Sequence, residues 1–158
     1  MSLLSTYLND HLAGATAGRE LARRAASSNR GSERFGAATQ QLAGEIEEDR
    51  RSLLALMSSL GVGTDRVKVA AGWGAEKVGR LKPNGRLVSY SPLSRLVELE
   101  ALTIGVAGKL AMWESLREVL GEDPRLAEID LERLAARARG QLETLEALRL
   151  AAAGEALV

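Results

Sequence analysis

Cysteine is absent from this sequence, histidine occurs once, proline three times, and aromatic residues make up only 3% of the 158 positions. Each shortage excludes something. Without cysteine there is no disulfide, no thiolate nucleophile and no cysteine-ligated zinc or iron–sulfur centre. The same absence is compatible with a cytoplasmic setting. Strand formers are scarce and alternating runs nearly missing, so neither a sandwich nor a barrel is expected. Formal net charge is zero, so no overall field draws the chain to nucleic acid or anionic lipid. No apolar run approaches the roughly 18 residues that suggest a transmembrane helix, and the N-terminus lacks the shape of a secretory signal. A soluble, intracellular protein of one domain is expected.

What is present is leucine, alanine and charge at helical spacing, with 46% apolar and 27% charged residues. Steps of three and four from Leu4 through Tyr7/Leu8, His11, Gly14/Ala15, Gly18 and Leu21/Ala22 to Ala25 predict a helix over 3–28. Ser32 is a suitable N-cap for a second helix over 32–60, which Gly61 terminates. Its stripe, Leu42, Ile46, Asp49, Leu53, Leu56, Leu60, keeps a heptad spacing and so puts an acid on the core seam. Residues 61–91 form a glycine-rich crossover with a short helix over 66–81 and a Pro83-Asn84-Gly85 turn. Ser91-Pro92 opens a third helix, 92–120, apolar around much of its circumference and therefore expected to be the most buried. Gly121-Glu122-Asp123-Pro124 ends it. A fourth helix is expected over 125–153, with the stripe Leu131, Leu134/Ala135, Ala138, Leu142, Leu145, Leu148.

The result is an all-α protein built as two antiparallel helical hairpins joined by about 30 residues, and that long connection distinguishes ferritin-like folds from up-down bundles. The residues Tyr7-Leu8-Asn9-Asp10-His11-Leu12-Ala13-Gly14 and Glu45-Ile46-Glu47-Glu48-Asp49-Arg50 add to this. On those residues the chain resembles the ferritin-like superfamily, and within it a bacterial group without the Glu-x-x-His motifs. The resemblance implies a four-helix bundle with a mid-bundle site fed by all four helices, holding iron or manganese in its metal-binding members. Carried onto this chain, that site reduces to His11, Glu45, Asp49 and Glu100, with Glu146 or Glu143 as extras. No Glu-x-x-His occurs, because His11 is the only histidine.

Besides a rotation of the second helix that leaves Asp49 in water, two readings of this residue follow. One is a carboxylate-rich iron or manganese centre. The other, preferred, is a satisfied polar layer in which Asp49 is paired by His11, Tyr7 or an arginine such as Arg50, Arg137 or Arg139, because an unpaired buried carboxylate is costly. No motif names a reaction: the Gly74-Ala-Glu-Lys-Val-Gly79 stretch lacks the Lys-Ser/Thr ending of a phosphate loop. The expected protein is non-enzymatic, without a cofactor, and a homodimer through an apolar helix face. The crossover offers a second candidate surface, because residues 61–95 set seven basic side chains against Asp65 and Glu76. Trp73, Lys77, Arg80 and Lys82 are its candidates for docking a protein partner or a membrane surface.

Overall fold

A computed structural model describes residues 2–70 and 90–158. Four long helices account for most of them: α1 (Leu3–Ser28), α2 (Gly36–Ser59), α3 (Pro92–Leu120) and α4 (Leu131–Ala156). There is no strand among the described residues.

Local chemistry sets most of the boundaries. The Ser2 hydroxyl caps α1 by accepting from Ser5 N at 3.1 Å. Ser91 caps α3 in the same way, accepting from Ser94 N at 3.1 Å, and Pro92 occupies the first turn. α2 ends in a left-handed glycine, Gly61 at φ 69°. There Val62 N donates to Met57 O at 2.8 Å and Gly61 N to Ser58 O at 3.0 Å, the paired bonds of a Schellman cap.

Two helix starts differ from the expectation. α2 begins at Gly36 rather than at residue 32, because Ser32 caps a preceding turn: its hydroxyl accepts from Phe35 N at 3.2 Å and its carbonyl from Gly36 N at 2.9 Å. That turn is tight, for a Cβ on Gly36 would come within 2.9 Å of Asn29 O. α4 begins at Leu131 rather than at residue 125. Asp123 caps only the single 3-10 turn Pro124–Leu126, and Asp130 supplies a second cap, accepting from Arg133 N at 2.8 Å. At its other end α4 runs on through the alanines to Ala156. The crossover helix expected over 66–81 is helical over 66–70, and its remainder lies outside the described residues.

The four helices enclose one apolar core, with Leu8, Leu12, Leu56, Trp113, Leu134 and Leu145 among its fully buried members. Cross-links between side chains give the layout. α1 and α2 form a hairpin. Arg24 Nε meets Glu98 Oε1 at 2.8 Å, so α3 lies antiparallel along α1. Arg139 meets Glu114 at 2.9 Å and Arg95 meets Glu155 at 2.7 Å, so α4 returns along α3. α2 and α4 come together mainly through long side chains rather than close backbone packing.

The α2 stripe is buried as its spacing predicts, Asp49 included. α1 is rotated from its expected stripe: Leu8, Leu12 and Thr16 face the core, while Tyr7 is 36% exposed and Gly14 is exposed. α3 is less buried than its composition suggests, since Val97 is 42% and Ile104 75% exposed. No helix among the described residues is long and apolar enough to cross a membrane.

The connection between the two hairpins is tied down at both ends by buried asparagines of α1. Asn9 donates to Gly63 O at 3.0 Å, and its Oδ1 accepts from Asp65 N at 2.6 Å. Asn29 donates to Tyr90 Oη at 2.9 Å, and its Oδ1 accepts from Arg95 Nε at 2.7 Å. The connection therefore starts near one end of α1 and finishes near the other. Truncating either asparagine removes the partner of two part-buried groups. Asn9→Ala and Asn29→Ala should each lower the unfolding free energy by about 1–3 kcal/mol in urea titrations; a change within error in both would contradict this anchoring role.

Candidate functional site

The heptad of α2 carries Asp49 inward, where its side chain is 1% exposed. An ionised carboxylate in such a place must be paired on both oxygens. Three side chains from two other helices do this. On α4, Arg137 and Gln141 are one turn apart and so share a face. Arg137 Nε donates to Asp49 Oδ1 at 2.8 Å, and Gln141 Nε2 donates to Oδ2 at 3.0 Å. On α3, the Lys109 ammonium donates to Asp49 Oδ2 and, at 2.5 Å, to Gln141 Oε1.

The network continues outward. Gln141 also donates to Glu45 Oε2 at 3.1 Å, Gln41 donates to Glu45 Oε1 at 2.8 Å, and Arg137 Nη1 meets Glu48 at 2.7 Å. Two fixed cations thus face one fully buried acid and two partly solvated ones. Burial pushes the Lys109 pKa below its usual value, and the adjacent Asp49 charge opposes that shift.

Of the candidates named from sequence, Glu45 and Asp49 do come together in this layer. His11 does not join the Asp49 pairing. It is half-buried beside Tyr7, ring centroids 4.6 Å apart and edge to face. Burial lowers its pKa below 6.5, with Asp10 acting in the opposite sense. Glu100 does not project inward: it is exposed, because the core line of α3 runs through Leu96, Leu99, Leu102 and Val106. Glu146 and Glu143 are exposed as well, one step past Leu145 and two past Gln141, the buried residues of this part of α4. Trp73, Lys77, Arg80 and Lys82 lie outside the described residues. Among the expected partners of Asp49, Arg137 is the arginine that reaches it. Arg50 instead donates to Thr16 Oγ1 at 3.3 Å, and Arg139 pairs with Glu114 and Glu132.

Sequence reasoning missed Lys109 as a partner, Gln141 altogether, and a second buried acid, Glu98. Glu98 is 5% exposed; Arg24 meets it at 2.8 Å and the Tyr90 hydroxyl donates to it at 2.9 Å. Burial, and then the Glu98 charge, raise the Tyr90 pKa. A signal existed: Glu98, Leu102, Gly105 and Lys109 follow one another at steps of four, three and four, so both charges ride one stripe of α3.

The donor set does not suit a di-metal centre. The oxygens of Asp49 are engaged by cationic and amide donors, and a divalent ion beside them would face both Lys109 and Arg137. Iron and manganese sites draw on several carboxylates and imidazoles, and among the described residues no group of three or more such side chains is placed to hold an ion. What the arrangement can do is join α2, α3 and α4 at a single level.

Two measurements check this. Asp49→Ala takes from Lys109 its carboxylate and from Arg137 the buried one of its two, and should destabilise the fold by about 3 kcal/mol. Combined with Lys109→Met, the loss should fall short of the sum of the single losses by about 0.5–3 kcal/mol, and strict additivity would exclude the coupling. His11, the single histidine, gives one assignable ring resonance, which should titrate below pH 6.5. Its folded-state pKa is lowered, so the unfolded chain binds the proton first and stability should fall as pH drops below about 6.5. A midpoint at or above 6.5 would remove that contribution. In comparisons with known proteins, the chain matches no family model, no curated protein and no solved structure, so the functional argument rests on its own residues.

Proposed function

We propose that this chain is a ferritin-type four-helix bundle in which side-chain cations stand where metal-binding relatives hold ions, and that it serves as a non-enzymatic structural or interaction protein. The observation that carries the reading is the pairing of buried Asp49 by Lys109, Arg137 and Gln141. Positive charge is needed beside a buried carboxylate. Here the protein supplies it covalently, from α3 and α4, so the layer is complete without an ion. The connectivity supports the ferritin comparison: an α1–α2 hairpin, a connection that passes from the Asn9 end of α1 to the Asn29 end, and an α3–α4 hairpin.

Polar layers of this kind fix helix register, a function suited to a scaffold that must present a constant surface. Exposed apolar side chains, among them Ile104 at 75% and Leu150 at 57%, support self-association into a homodimer. A cytoplasmic location is part of the same reading.

Elemental analysis tests it. Protein purified from cells grown with added iron and manganese should carry far less than one ion per chain. A stoichiometric ion that disappears in Asp49→Ala would replace this reading with a carboxylate-rich metalloprotein doing redox or storage chemistry. Sedimentation equilibrium should give a dimer; a monomer at all concentrations would remove the self-association.

A further inference from the structure

We propose that a cavity between α1, α2 and α3 is a binding site for a small carboxylate with an apolar, aromatic-sized body. The cavity has a volume of about 170 Å³. An engineered apolar cavity of roughly 150 Å³ admits benzene, so one ring or its aliphatic equivalent fits the space.

The walls explain why the space exists. Gly14 and Gly18 of α1 line it opposite Gly105 and Gly108 of α3. Glycines on facing helices usually let the backbones touch. Here they do not, for a Cβ built on any of the four would meet no atom within 4 Å. Behind them Leu53, Met112 and Trp113 give an apolar floor. An apolar body is therefore the natural content.

The polar groups on the lining are unbalanced in one direction. Arg50 donates to Thr16, and no carboxylate lies within ion-pair distance of it among the described residues. Burial first, and then the positive field of Arg19, lower its pKa against the opposing charges of Glu47 and Glu20, and an added anion would offset the remaining cost. Lys109 has three N–H donors and spends two of them, on Asp49 and Gln141. Asp49 is the one acid on the lining, and both its oxygens are engaged. A guanidinium without a carboxylate partner, beside an ammonium with one N–H to spare, calls for an anion that brings acceptor oxygens. A single available guanidinium matches a carboxylate, and the apolar walls argue against a phosphate dianion, which needs more donors than this lining offers.

The test uses the full chain, with 3-phenylpropionate and its neutral counterpart 3-phenylpropanol as probes, read by saturation-transfer NMR and calorimetry. Wild type should bind the carboxylate saturably and more tightly than the alcohol. Arg50→Gln should weaken the carboxylate about tenfold and leave the alcohol unchanged, the size expected for losing a charge-assisted contact. Gly105→Leu, which fills the space, should abolish binding of both while the melting temperature holds; Gly18→Leu serves if the first variant unfolds. No saturable binding to wild type, or carboxylate binding indifferent to Arg50→Gln or to the filled cavity, overturns the proposal. The site stands apart from the metal question, so either result can fail alone.

Discussion

The carboxylate of Asp49 constrains the interior more than any other single group. At 1% side-chain exposure it is cut off from water, and an uncompensated charge there would cost several kcal/mol. Its partners come from two other helices: Lys109 from α3, Arg137 and Gln141 from α4. Sliding or rotating one helix by a turn would break the pairing, whereas leucines could repack after a similar shift. The apolar core supplies most of the driving force for folding, but it is poor at choosing among registers. The charge layer makes that choice.

The same layer accounts for how α2 and α4 face each other. Their backbones stay apart and long side chains fill the gap, with Arg137 reaching both Asp49 and Glu48, and Gln141 both Asp49 and Glu45. At another level of the assembly a second polar group, Asn29, Tyr90, Arg24, Glu98 and Arg95, pins the start of α3 to the end of α1. α1 and α3 meet there. Along the Gly14–Gly18 and Gly105–Gly108 stretches they leave space instead. The cavity is thus framed by a tight polar contact toward one end and the Asp49 layer at its wall.

The spans of α1 and α3 were legible because steps of three and four run unbroken from Leu4 to Ala25 in one, and Ser91-Pro92 and Gly121 bracket the other. The inward heptad of α2 was legible because one uninterrupted period runs from Leu42 to Leu60. The start of α4 was not, since Asp123 and Asp130 are both competent caps and local sequence does not rank them. The facing of α1 was misread because its small residues fit either side of the helix. Glu100 was placed inward and Glu98 overlooked for a related reason: on an all-round apolar helix, periodicity does not say which acid faces in.

Local order in the chain, then, was enough to determine an all-helical protein, most of its helix limits, and the burial of Asp49, because caps and stripes act over one to a few turns. Which groups neutralise that acid was decided only in three dimensions. Its partners lie 60, 88 and 92 residues away, and helix rotation determines which of the 21 basic side chains arrive. The open space between facing glycines likewise depends on how far apart two backbones settle, a distance that no run of residues encodes by itself.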